Sequence, residues 1–174
     1  MELYNTFNEA DHLVRNIDKS KFEHLHTWDL GWELLQTIDI ATDKGKSEID
    51  LSRRLSPGQK ALYFFWYLDA EVDDGEFIAF YEAGYVKYIP PIKEGLKLIG
   101  DWHMLDLVEA VHDEYLLHEK ELKEKGKLNN WDLLDEQLYK FDAFDERYAE
   151  LREQTMQLLE DYIRKNVNEF VKLT

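Results

Sequence analysis

The chain has 174 residues, 44% of them hydrophobic and 14% aromatic, which is enough apolar material for one well-filled core and too much for a disordered acidic tail. Its 37 acidic residues against 21 basic ones leave a formal charge of -16, which repels nucleic acid and anionic membranes and excludes direct nucleic-acid binding as the expected activity. The absence of cysteine removes a disulfide framework, a thiolate metal site and a cysteine nucleophile.

The N-terminus, Met1-Glu2-Leu3-Tyr4-Asn5, lacks the basic and apolar regions of a signal peptide. The longest wholly apolar run, Ala61 to Leu68, is too short to span a bilayer. A cytoplasmic protein with no membrane association is expected. No Ser/Gly/Pro-rich linker or internal repeat divides the chain, so residues 1–174 are expected to form a single domain.

In chain order, the first helix is expected over Tyr4 to Ile17 and a second over Thr27 to Thr42, with Trp28, Leu34, Leu35 and Ile38 as its apolar stripe. Asp43 to Ser52 reads as a loop. Ser56-Pro57-Gly58-Gln59 then places an N-cap serine, a first-turn proline and a capping-box glutamine at the offsets that start a helix. This third helix, about residues 57–74, is apolar almost all round and is expected to be the central one. It should stop at Gly75.

A short helix from Glu76 to Ala83, a loop to Pro90-Pro91 and a helix from Pro91 to Ile99 closing at Gly100 follow. Asp101 can cap a long helix ending near Gly126. On it Met104, Val108, Val111, Tyr115 and Leu122 recur on one buried stripe, with Asp106, Glu109 and Asp113 on the opposite face. After a polar turn, Trp131 to Leu134 begins a short helical stretch, and a last amphipathic helix is expected over Asp145 to Phe170. Sustained strand alternation is absent, and the fold class is all-α, an irregular multi-helix domain.

Two groups of carboxylates are candidate partner-binding residues. Glu71, Asp73, Asp74 and Glu76 crowd the C-terminus of the central helix, where the macrodipole disfavours negative charge. Asp106, Glu109 and Asp113 form a row with successive members roughly 5 Å apart along a helix. Duplex DNA advances one phosphate per 3.4 Å along each strand, so such a row approximates a phosphate row coarsely. Both groups, like the pairs Asp132/Asp135 and Asp142/Asp145, can equally be solvated surface.

Glu9-x-x-His12 and Glu109-x-x-His112 have the spacing of bundle metal ligands, but Glu109 points away from the apolar stripe, whereas a bundle metal needs inward ligands. His24-x-His26 offers two imidazoles on an expected loop with no third ligand nearby. No metal, cofactor or catalytic residue is expected on this reading. Nucleophile-elbow and phosphate-loop motifs are missing.

The run Leu55-Ser56-Pro57-Gly58-Gln59-Lys60, leading to Glu71-Val72-Asp73-Asp74-Gly75-Glu76-Phe77, resembles a small bacterial all-helical family that contains a DNA mimic. Ile99-Gly100 and Tyr162-Ile163-Arg164 match its later landmarks, and the likeness spans roughly Trp28 to Phe170. The family pattern is Glu-Val-x-Asn-Gly-Gly-Phe followed by Gln. Here Asp74 stands for the Asn, Glu76 for the second Gly and Ala79 where the Gln is sought. The resemblance implies a helical, dimeric protein that presents carboxylates to a DNA-binding partner.

The leading expectation is therefore an acidic helical protein that occupies the basic nucleic-acid-binding surface of a regulator or nuclease. Two alternatives stay open: an immunity-type protein that neutralises a toxin, and a hydrolase or metal-dependent enzyme using Glu, Asp and His. Convex acidic faces favour binding; a deep pocket with convergent ionisable groups favours catalysis.

Overall fold

The computed structural model describes residues 4–43, 47–73, 75–127 and 135–174, and leaves aside the side chains of residues 37, 39–43, 121–127 and 135–138. Among the described residues are eight α-helices: α1 (Lys19–His24), α2 (Thr27–Asp43), α3 (Glu48–Ser52), α4 (Pro57–Asp73), α5 (Phe77–Glu82), α6 (Ile89–Ile99), α7 (Trp102–Lys127) and α8 (Asp135–Lys165). Two three-residue strands, β1 (Arg15–Ile17) and β2 (Val171–Leu173), pair in parallel with Arg15 opposite Val171. The protein is all-α apart from this ribbon. No described helix is long and apolar enough to cross a membrane.

Helix α4 is central because it is buried on nearly every side: Leu62, Tyr63, Phe64, Phe65, Leu68 and Val72 are all in the core. Its start is the expected capping box. The Ser56 hydroxyl accepts from the Gln59 N–H at 3.1 Å, and the Gln59 side chain accepts from the Ser56 N–H at 2.9 Å. It packs most extensively on α6, and the approach is close because α6 carries Gly95 at the crossing. A methyl there would stand 2.8 Å from the Ala61 Cα. Aromatic rings fill the space beyond, with Tyr4 edge-on to Phe64 and Tyr88 against both Phe64 and Tyr67.

Helix α7 begins as its sequence requires. Gly100 takes the left-handed conformation at φ 78° to end α6, and one Asp101 carboxylate oxygen accepts from the Met104 N–H at 3.0 Å. The other accepts from the Thr155 hydroxyl at 2.6 Å, so the same cap ties α7 to α8. Met104, Val108, Val111 and Tyr115 are buried as one stripe, while Leu122 lies outside the described side chains.

Several boundaries differ from expectation. The helix over Tyr4 to Ile17 does not form. That segment holds only a three-residue 3-10 turn, Glu9–Asp11, capped by Asn8, and then enters β1, whose partner lies at the far end of the chain. The expected loop from Asp43 to Ser52 contains α3, because the Ser47 hydroxyl caps it and Glu48 and Asp50 favour its positive end. The loop before Pro90 contains a 3-10 turn, Tyr85–Tyr88, and α6 starts at Ile89, with the prolines in its first turn, where their missing N–H groups cost little. The last helix starts ten residues early, at Asp135, and stops at Lys165; a 3-10 turn, Val167–Glu169, and β2 follow. The short helix at Trp131 to Leu134 lies outside the described residues.

Helix α2 is fastened to α8 through Glu160, 5% exposed, whose carboxylate accepts from the Thr27 N–H at 2.7 Å, His26 Nδ1 at 2.9 Å and Arg164 Nε at 2.7 Å. Thr27 adopts φ 36°, a left-handed backbone that a β-branched residue takes only under constraint, and the Glu160 bonds supply that constraint.

Candidate acidic interface

The corner between α4 and α5 carries the first expected group. Glu71 is half-buried and Asp73 exposed on the last turn of α4, and Glu76 is exposed immediately before α5. Asp74 lies outside the described residues. Asp73 is not a free carboxylate, since Arg152 Nε of α8 stands 3.3 Å from it. Glu76 has no ion pair among the described residues, and one of its oxygens lies within 4.8 Å of oxygens of Asp142 and Asp145 on α8. The corner therefore continues onto α8 across a separation of nearly seventy residues in sequence.

The second expected group stands on α7. Asp106 and Asp113 are exposed and lie on the face opposite the buried stripe, as their spacing requires. Glu109, between them, is engaged by Lys93 of α6 at 2.6 Å, and that ammonium holds its carboxyl below the usual range. The central one of the row's three charges is thus already paired. Among the described residues no ion pair or hydrogen bond joins the α7 row to the α4–α5 corner.

A third group emerges from the helix length. Asp142, Glu146, Glu150, Glu153 and Asp161 are all exposed, and their spacing of four, four, three and eight residues keeps them within about 100° of arc on α8, over about 28 Å of its axis. Asp142, Glu146 and Glu153 have no ion pair or side-chain hydrogen bond among the described residues. Glu150 pairs with Arg147 at 2.6 Å, but both side chains are more than half exposed, so the pair screens little. The helical period of these acids was present in the sequence. A helix expected to start at Asp145 excludes Asp142, and the apolar face that defines it does not contain these acids. Of the expected acidic pairs Asp132/Asp135 and Asp142/Asp145, Asp132 lies outside the described residues and Asp135 outside the described side chains.

Asp145 is where this surface meets the core. One of its oxygens accepts from the Phe77 N–H at 2.9 Å, capping α5, while the other is buried without a partner. Burial pushes its carboxyl up to about 6, and Glu76 and Asp142 add to the rise against the Phe77 hydrogen bond. A raised folded value means that the charged form is penalised in the native state. The penalty is absent below pH about 4, grows as pH rises and is complete above about 6. Asp145→Asn keeps an acceptor for Phe77 and removes the charge. It is expected to raise stability at neutral pH by on the order of 1 kcal/mol and to flatten the pH 4–6 stability profile, measured by urea unfolding.

The histidine units have structural partners. His12 Nε2 donates to Gln59 Oε1 at 3.0 Å and lies 3.1 Å from the Glu169 carbonyl, while Glu9 is exposed in the 3-10 turn. His112 faces the Tyr81 hydroxyl at 3.4 Å, and its Glu109 is turned to Lys93. His24 ends α1 rather than sitting in a loop, with Nδ1 at 2.6 Å from the Ser20 carbonyl, and His26 bonds Glu160.

Fold and surface together define a class: a small helical protein whose outer face is laid out in rows of carboxylates. The family model described as DMP19-like protein matches residues 53–166, from the turn before α4 to the end of α8, and the chain belongs to that family. It is 29% identical over 124 residues, covering 68% of this chain and 74% of the relative, to the DNA mimic protein DMP19 of Neisseria meningitidis serogroup B. No solved structure matches.

Proposed function

We propose that this protein acts by binding a basic DNA-binding protein, a regulator or a nuclease, in place of that partner's DNA. The observation that carries the reading is the α8 row and its continuation through Asp142 into Glu76 and Asp145, a run of carboxylates without cations on most of its members. Membership of a family that includes a DNA mimic gives this charge a specific use.

In mechanism, the exposed carboxylates steer an Arg- and Lys-rich surface into encounter and fix its orientation, contributing more to association rate than to affinity. A folded protein lacks the condensed counterions whose release drives binding to DNA, so salt weakens this contact less steeply than it weakens the DNA complex. Anchoring energy comes from exposed aromatic rings. Trp32 is 49% exposed on α2 and Trp28, stacked on Trp66 and covered on one side by Arg152, is 40% exposed one turn before it.

Capture on the immobilised chain at low salt, followed by elution with duplex DNA, tests the proposal: a basic protein released by DNA supports it, and capture only of proteins that DNA does not release counts against it. A toxin with a basic substrate groove would satisfy the same chemistry, and the captured protein's own activity distinguishes it from a regulator. The proposal includes the homodimer implied by the resemblance. Sedimentation equilibrium at micromolar concentration is expected to give twice the chain mass of 20.8 kDa, and a monomer mass removes this part.

A further inference from the structure

At the other end of α4 from the acidic corner stands a buried cation. Lys60, near the N-terminal end of α4, is 8% exposed, and its ammonium donates to the Thr6 carbonyl at 2.8 Å. An ammonium has three protons to donate, and no carboxylate pairs with this one among the described residues. The position is doubly unfavourable for a cation, being buried and near the positive end of a helix dipole. Burial pushes the lysine down to about 8.

Lys60 lines a cleft of about 310 Å³ between α4 and α6, with Asn5 beside it and Pro57, Ala61, Gly95 and Leu98 forming apolar walls. Glu94 at the cleft is held by Lys97 at 2.8 Å, which offsets its charge. An adjoining hollow shares Asn5 and Glu94 and adds Lys93, Lys97 and His112. In a chain of net charge -16 this concavity gathers three lysines, of which Lys93 is paired with Glu109 and Lys97 with Glu94, and Lys60 alone has no carboxylate partner among the described residues. Its size falls at the lower end of the range for ligand pockets, roughly 300–1,000 Å³, and its walls suit a short aliphatic chain.

We propose that this cleft binds a small organic carboxylate, its anionic head at the Lys60 ammonium and its aliphatic tail along Ala61, Gly95 and Leu98. The anion would supply the acceptor and counter-charge that the protein withholds from Lys60. This inference does not rest on the α8 row, none of whose members lines the cleft or the hollow.

Sodium butyrate is the probe, titrated into the full chain by calorimetry, with butyramide as the uncharged control of the same shape. Saturable binding of butyrate alone is expected, and Lys60→Met, which conserves volume, should weaken it about tenfold or more. The unaltered protein gives a second readout that needs no variant. Only the protonated amine attracts the anion, so affinity should hold below pH about 8 and fall about tenfold per pH unit above it. The other titratable groups of the cleft and hollow are Glu94, Lys93, Lys97 and His112, with Glu109 on Lys93 behind them. The Lys93 hydrogen bond lowers Glu109, burial lowers His112 and the Glu94 hydrogen bond raises Lys97, so each of these three shifts away from pH 8. No saturable binding at neutral pH, equal binding of butyramide, or affinity unmoved by both Lys60→Met and alkaline pH overturns the proposal.

Discussion

Asp69→Ala is expected to lower the free energy of unfolding by about 3 kcal/mol, the lower end of the range for breaking a buried ion pair. Asp69 is completely buried in α4 and accepts three hydrogen bonds from α8, from Arg152 Nε at 2.6 Å, from an Arg152 terminal nitrogen at 2.9 Å and from the Tyr148 hydroxyl at 2.8 Å. Removing the carboxylate strands a guanidinium and a buried phenol together. The figure sits at the low end because the Arg152 side chain is 28% exposed and keeps Asp73 as a weaker partner. In thermal melts the loss corresponds to roughly 6–12 °C for a chain of this length. The combined change Asp69→Leu, Arg152→Met and Tyr148→Phe should recover much of the loss, since apolar groups of similar volume replace the ion pair and its buried hydroxyl donor at little net cost. A loss below about 1 kcal/mol in Asp69→Ala would show that this network does not hold α8 to the core.

That network was hidden from the sequence for a physical reason. Asp69 reads as one polar residue on an otherwise apolar helix, and its partners are about eighty residues away. Local signals were legible where local chemistry decides the structure: the Ser56/Gln59 capping box, Gly100 ending α6 and Asp101 opening α7 all form as expected. They failed where a distant partner decides it. Tyr4, Phe7, Leu13, Val14 and Ile17 mimic a loose helical period, yet Ile17 belongs to a strand completed by Leu173, and Tyr4 packs on Phe64 and Tyr88. The candidate interface divides in the same way. The individual carboxylates at Glu71, Asp73, Glu76, Asp106, Glu109 and Asp113 could be named from the sequence. Their engagement by Lys93 and Arg152, and the joining of Glu76 to Asp142 and Asp145, depend on the packing of separate helices.

Neutralising the α8 row is expected to have the largest functional effect. The triple change Asp142→Asn, Glu146→Gln and Glu153→Gln should slow association with a captured basic partner by about tenfold or more at low salt, within the range of electrostatic steering. The difference should shrink as ionic strength rises, because exposed charges are screened over about 8 Å at physiological salt. Stability should change by less than about 0.5 kcal/mol, as all three side chains are exposed and make no ion pair among the described residues. The parallel change Asp106→Asn, Glu109→Gln and Asp113→Asn should slow association less, since Glu109 already serves Lys93. Stopped-flow mixing across a salt series separates the two faces. Equal association rates for the α8 triple variant and the unaltered chain at low salt would remove this row from the interface.

The most direct measurement of the central claim is competition for one surface. A labelled duplex carrying the captured partner's binding site is titrated with that partner at fixed concentrations of this chain, and the bound fraction is read by fluorescence anisotropy. If the acidic face occupies the DNA-binding surface, the apparent Kd for DNA rises linearly with the concentration of the chain, and no complex containing all three components forms. An unchanged Kd for DNA, with chain, partner and duplex sedimenting together, would contradict it.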